Sequence, residues 1–267
     1  MELLGYFSAL FIGLSLGLIG GGGSILAVPV LVYLFKLVEQ AATAYSLFIV
    51  GSTALAGGLQ QHFKNLVNWK VAVIFAIPSI IGVSLVRAFV IPALPDTLFS
   101  IGSFEFTRRM LMLGMFALLM IPAGVSMING RKTPKTNHNS SDPYKYLVII
   151  LQGLVVGGLS GLVGAGGGFL IIPALVLLTR MDMKTAIGTS LIIIAFQSLL
   201  GFLFGEALTT QIRWGFLLPL TGIALIGIFL GTYIGNYIKA SGLKTIFGYF
   251  IFAMSSLILY MEFFLTS

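Results

Sequence analysis

Apolar residues fall into ten runs along the 267-residue chain, and the runs form two sets of five. The first set lies at about 3–19, 25–38, 41–61, 70–93 and 108–128. The second lies at about 146–163, 168–179, 184–205, 214–238 and 243–265. Between them stands Asn129 to Lys145, a polar stretch with the composition of a flexible linker. A helix needs roughly 20 apolar residues to cross the hydrocarbon of a bilayer, and runs near that length recur throughout. The pattern predicts an all-α polytopic membrane protein, with a first membrane repeat over 1–128, a polar linker over 129–145 and a second membrane repeat over 146–267.

The two sets are copies of each other. Gly17 to Leu31 reads GLIGGGGSILAVPVL and Gly161 to Leu175 reads GLVGAGGGFLIIPAL. Gly17, Gly20, Gly22, Gly23 and Pro29 thus recur 144 positions later as Gly161, Gly164, Gly166, Gly167 and Pro173. Ala42, Ser46 and Leu47 match Ala186, Ser190 and Leu191 at the same offset, and Trp69 matches Trp214 one residue further on. Each glycine costs a helix interior about 1 kcal/mol relative to alanine, so each copy predicts a broken helix. Residues 3–38 are too many for one straight span. A limb of about 17 residues is roughly 25 Å long and one of about 14 roughly 21 Å, which suits two short limbs hinged at the glycines. If helix starts only at Pro29, a favoured first-turn residue, the second limb is a half-span. A hairpin followed by three spans inverts one half relative to the other. The expected fold is therefore an inverted-topology repeat, each half a glycine-broken helical hairpin plus three spanning helices.

Charge placement tests the inversion. With the linker in the cytoplasm, the inverted arrangement puts Lys64, Lys70, Arg131, Lys132, Lys135, Lys145, Arg180, Lys184, Lys239 and Lys244 inside. Only Lys36, Arg87, Arg108, Arg109 and Arg213 then lie outside, together with six of the eight acidic residues. A parallel arrangement leaves seven basic residues inside and eight outside. The positive-inside bias selects inversion, with both termini outside. The same bias explains the net charge of +7, so nucleic acid is not an expected partner; the lipid bilayer is.

Composition narrows the chemistry further. Charged residues are 9% of the chain and apolar ones 58%, against roughly 25% charged in soluble domains. There is no cysteine, hence no thiolate metal site or disulfide, and His62 and His138 alone leave little for zinc. No cofactor or metal is expected. The N-terminal stretch Met1 to Tyr6 has no basic residue and lacks a signal-peptide n-region. The expected location is a prokaryotic cell (inner) membrane, multi-pass.

A helix that starts inside a membrane presents N–H groups without intrahelical partners and about half a positive charge. Such a start binds anions, and glycines let the ligand reach the backbone. Inverted repeats bring two such ends together near the midplane. The candidate substrate-binding residues are therefore Gly20, Gly21, Gly22, Gly23, Ser24 and Pro29 in the first copy, with Gly164, Gly166, Gly167, Gly168 and Pro173 in the second. Ser46 and Ser190 join them as equivalent positions of the repeat, and Gln197 as an amide inside an apolar run. The competing structural reading is close helix packing at small residues. Arg87, the basic residue well inside an apolar run, either snorkels to the outer interface or attracts the anion.

The doubled glycine-rich/proline motif, the polar central linker and the two homologous halves of a chain this long resemble the sulfite exporter TauE/SafE family, also described as sulfonate or sulfur-anion permeases. The resemblance covers nearly the whole chain. It implies a membrane carrier, an exporter, for small sulfur-containing anions such as sulfite, thiosulfate or organosulfonates. The family is usually described with about eight spans, whereas the hairpin reading gives six full spans and four short limbs.

All eight Asp and Glu residues lie in loops or near segment ends. Intramembrane carboxylates are the usual proton and sodium relays, so the expectation is export of an anion assisted by the inside-negative potential. The alternative is an anion channel or a proton-coupled importer of a sulfonate or carboxylate, with His62 or Glu206 moving the proton. A channel calls for a continuous hydrophilic lining, and the polar residues here are sparse. An enzyme is not expected: Ser24 is aligned with Gly168, and no histidine lies mid-membrane to activate it.

Overall fold

The structure is a computed structural model, and the residues described are 2–95, 97–101, 104–128, 143–163, 165–179, 181–207 and 210–260. Linker residues 129–142 and Gly164 lie outside them. The first half comprises helices α1 (Glu2–Ile19), α2 (Gly23–Pro29), α3 (Glu39–Phe63), α4 (Trp69–Leu85) and α5 (Arg108–Ile128). The second comprises α6 (Pro143–Val163), a 3₁₀ turn at Ala165–Leu170, α7 (Ile171–Pro173), α8 (Met183–Gly201), α9 (Trp214–Tyr237) and α10 (Ala240–Tyr260). Helix α6 thus takes in the last three residues, 143–145, of the linker drawn from polarity.

Among the described residues, four helical stretches are long and apolar enough to cross a membrane: Gln40–Phe63, Trp69–Val90, Met183–Gly205 and Trp214–Tyr237. This is a multi-pass membrane protein with an all-α body. Helices α5 and α10 are 21 residues each, roughly 31 Å at 1.5 Å per residue. The α3 and α8 stretches are 67% and 61% buried and form the centre, whereas α4 is 22% buried and lies at the rim. The main core joins both halves around this pair, with Phe75, Phe169, Ile171, Ile172, Leu191 and Phe247 almost fully enclosed.

Helix directions follow from the tight contacts at glycines. Along α3 and α8, Gly51 meets Leu199, Gly58 meets Ile192, and Gln61 meets Gly188, so the two run antiparallel. Along α1 and α9, Gly13 meets Ala224 and Gly17 meets Ile228, so these run parallel. Helices α4 and α6 are parallel too, with Gly157 on Ser79 and Gly161 on Val83. The last two pairs of contacts are each other's repeat equivalents, with partners exchanged between halves. Glycine at these crossings lets backbones touch, the usual way that membrane helices gain dispersion contacts without a hydrophobic driving force. Because α4 is parallel to α6, it starts on the face where the linker enters; α9 starts on the face where α1 starts.

Two features depart from the sequence pattern. Pro29 and Pro173 do not open a helix. Each is the last residue of an α segment, and each is followed by a five-residue π turn, Val30–Leu34 and Ala174–Leu178. Proline lacks the N–H that would bond four residues back and its ring crowds that carbonyl, which affects the turn before it; five-residue π turns also follow Leu85 and Gly201, where no proline directly precedes them. The second is a short antiparallel hairpin between α4 and α5, β1 (Thr97–Ile101) with β2 (Phe104–Thr107). Phe99 and Phe106 stack there at 4.8 Å, a cross-strand aromatic pair of the kind that holds small ribbons.

Candidate functional site

Helix α1 ends at Ile19, and Gly20 takes a left-handed conformation with φ of 76°. Its N–H still donates to the Leu16 carbonyl at 2.7 Å, the arrangement in which a C-terminal glycine closes a helix. The chain turns through Gly21 and Gly22 and resumes as α2 at Gly23. Ser15 and Leu16 flank Gly23, and the Phe35 ring covers Gly5, so α2 and its π turn run back along α1. A Cβ on Gly23 would lie 2.6 Å from Leu16 Cγ, which explains why the first turn of α2 carries no side chain there.

The two glycine segments touch. A Cβ on Gly21 would lie 2.5 Å from the Gly168 carbonyl oxygen and 2.6 Å from Phe169 Cα. One on Gly20 would lie 2.6 Å from Ile172 Cδ1 and 2.8 Å from Ser190 Oγ. The structure therefore gathers Gly20–Ser24, Gly168 and Ser190 at one buried place. Gly166 and Gly167 belong to the 3₁₀ turn beside it. Pro173 is buried and Pro29 half-buried; each ends an α segment rather than starting one.

Other candidates stand elsewhere. The antiparallel register of α3 and α8 sets Ser46 and Ser190 toward opposite ends of the crossing, roughly 20 Å apart along the helix axes. Gln197 lies seven residues, about 10 Å, further along α8 than Ser190. Its Oε1 is buried without a hydrogen-bond partner in the protein, as are Gln61 Oε1, Ser79 Oγ and Gln152 Oε1. Arg87 is half-buried in the π turn that extends α4.

Hydrogen bonding limits what the serines offer. Ser24 Oγ donates to the Gly21 carbonyl at 2.7 Å, Ser46 to Thr43 and Ser190 to Ile187, both at 2.9 Å. A hydroxyl has one proton to donate, and each of these is committed to the backbone. At the start of α2, the Ser24 and Ile25 N–H groups turn back on Gly21 and Gly22 in long bonds of 3.2 and 3.4 Å. The weakly engaged donors at this place belong to the main chain.

A family model described as sulfite exporter TauE/SafE matches residues 6–258. The chain belongs to this family. A TauE/SafE relative from Xylella fastidiosa (strain Temecula1), named a probable membrane transporter protein, is 33% identical over 248 residues, covering 91% of this chain and 89% of its own. The probable membrane transporter protein YunE of Bacillus subtilis is 32% identical over 235 residues, covering 82% and 83%. No solved structure matches the chain significantly. This TauE/SafE member is thus of a membrane transporter family, and the glycine contact lies inside the matched span.

Proposed function

We propose that this protein carries small sulfur-containing anions, such as sulfite, thiosulfate or an organosulfonate, across a prokaryotic cell membrane, with the anion bound where the two glycine segments meet. The observation that carries this reading is the backbone contact of Gly21 with Gly168, deep in a protein of a transporter family. Irregular backbone at membrane depth survives only inside protein or along a polar cavity, and two interrupted helices meeting there are a recurrent plan for a transport site. With the serine protons committed to carbonyls, main-chain N–H groups are the donors the site offers a negative oxygen.

The reading includes an inverted repeat with alternating access. Its support is that α3 and α8, equivalent in the two halves, pack antiparallel. A rotation axis that exchanges them therefore lies across the helices rather than along them. Linker-face lysines and arginines, from the charge count, favour export outward from a cytoplasmic linker face. An inside-negative potential contributes about 2.3 kcal/mol per charge per 100 mV in that direction.

The test is a thermal-shift series on purified protein with sulfite, sulfate, thiosulfate, an alkylsulfonate and acetate, followed by flux in proteoliposomes under an imposed voltage. Stabilisation by one or more sulfur anions and voltage-driven flux are expected. Stabilisation by acetate alone, or flux that needs a pH gradient and ignores voltage, would overturn the assignment.

A further inference from the structure

Two hydrogen bonds join the central pair α3 and α8 to the helices that follow them, and they are repeat equivalents. Thr189 Oγ1 on α8 accepts from the backbone N–H of Asn68 at 3.0 Å. Tyr45 Oη on α3 accepts from the backbone N–H of Arg213 at 2.9 Å. Tyr45 and Thr189 are 144 positions apart; Asn68 and Arg213 are 145 apart, the same offsets that relate Ser46 to Ser190 and Trp69 to Trp214. Asn68 and Arg213 are the N-cap residues of α4 and α9, with nearly the same backbone angles, φ −95° and ψ 93° against φ −86° and ψ 88°. The same hydroxyl-to-N-cap bond is built twice from different side chains.

The two bonds lie on opposite faces. Asn68 precedes α4, which starts on the linker face, whereas Arg213 precedes α9, which starts on the face of α1. Both hydroxyl-bearing residues are buried, Thr189 at 0% and Tyr45 at 2% exposure. An N-cap N–H has no intrahelical partner, and here the hydroxyl satisfies it; Asn68 is half-buried and Arg213 exposed, so each bond lies at the edge of the protein. Once an end opens, water can take over that role. A bond of this kind is lost at modest net cost and remade readily.

The surroundings of the two differ. On the linker face the Leu66 carbonyl packs directly on Gly188, next to Thr189. On the other face Tyr45 and Phe35 both pack on Phe216, at ring distances of 6.0 and 4.9 Å. We infer that Thr189–Asn68 and Tyr45–Arg213 are the latches of two gates, one at each face, and that the structure has both closed. This rests on the transporter reading above. Transport then requires the two latches to open in turn, each exposing the glycine contact to one side.

The chain has no cysteine, so a single reporter can be introduced. Ala54→Cys sits near the middle of α3, at a position that is 0% exposed, and its labelling by a membrane-impermeant maleimide is measured from each face in oriented vesicles. Thr189→Val is expected to raise labelling from the linker face roughly three- to tenfold, the factor corresponding to one net hydrogen bond, and to leave the other face unchanged. Tyr45→Phe is expected to do the reverse, and Thr189→Ser to restore the unmodified rate. Gly188→Ala, which presses on the Leu66 carbonyl with the hydroxyl intact, is expected to act like Thr189→Val. Equal increases at both faces, or no increase in variants that keep their melting temperature, would remove the latches. Sulfite, thiosulfate and sulfonate flux in the same vesicles separates the two readings. Flux with labelling that ignores the variants removes the latches and keeps the carrier. One-sided opening without flux of these anions keeps the latches and removes the substrate assignment.

Discussion

Gly21 and Gly168 meet main chain to main chain: a Cβ on Gly21 would sit 2.5 Å from the Gly168 carbonyl oxygen. The obstacle is backbone, so a side chain cannot swing away to make room. Gly21→Ala must part the two segments, at a cost of roughly 1–3 kcal/mol for an overpacked core. The expected result is a lower melting temperature and loss of stabilisation by sulfur anions. Gly22→Ala meets the edge of the Phe250 ring at 3.1 Å, which shifts more easily, and should cost less. Equal losses in the two variants would contradict this ranking.

Gly20 combines a left-handed backbone with two close neighbours, Ile172 Cδ1 and Ser190 Oγ. Gly20→Ala should lose about 1–2 kcal/mol to the backbone alone, plus the steric term. Ser190→Ala takes away one of the two obstructing atoms. A double-mutant cycle on melting free energy should therefore show less than additive loss, whereas strict additivity would mean that the two residues do not touch.

Repeat-equivalent glycines should respond alike. Gly13 faces Ala224 and Gly157 faces Ser79, in both cases at the neighbour's backbone. Gly13→Val and Gly157→Val should each destabilise strongly, by amounts of the same order. Gly222, on α9, has nothing within 4 Å of its Cβ position. Gly222→Ala should be neutral or stabilising by up to about 1 kcal/mol from helix propensity. Thermal unfolding in one detergent compares all three.

Buried acceptors without partners predict substitutions that help. Gln61 Oε1 and Ser79 Oγ are enclosed and unbonded, and an unsatisfied buried polar atom costs about 1–3 kcal/mol. Gln61→Met and Ser79→Ala should leave the melting temperature unchanged or raise it. Thr53→Ala is the contrasting case, since Thr53 donates to the Ile49 carbonyl at 2.6 Å. A large drop for Ser79→Ala would show that its hydroxyl has a partner in the membrane-embedded protein.

Much was legible before any coordinates. Membrane residence follows from composition, because burying so few charges among so many apolar residues suits only hydrocarbon surroundings. The duplication needed only comparison of the chain with itself, and the family followed from the doubled glycine–proline stretch. Helix α1 ends at Ile19, where consecutive glycines forfeit helix stability locally.

Other features were decided by partners far along the chain. Pro29 reads as a possible helix start because first-turn preference is a local rule; contacts along α1 let helix begin at Gly23, and the proline ends that segment instead. Ser46 and Ser190 looked like one site because they are equivalent, but antiparallel packing of their helices carries equivalent positions to opposite ends. Tyr45 and Thr189 each accept from an N-cap N–H without sharing a chemical type beyond the hydroxyl, so matching identities does not pair them. Thr189 and its Asn68 partner are 121 residues apart. Hydrophobicity, glycine content and self-similarity are properties of the chain alone, and the sequence by itself determined what rests on them. Which backbones touch, and which hydroxyl satisfies which N–H, depends on the mutual direction and register of packed helices, and only the tertiary structure decided it.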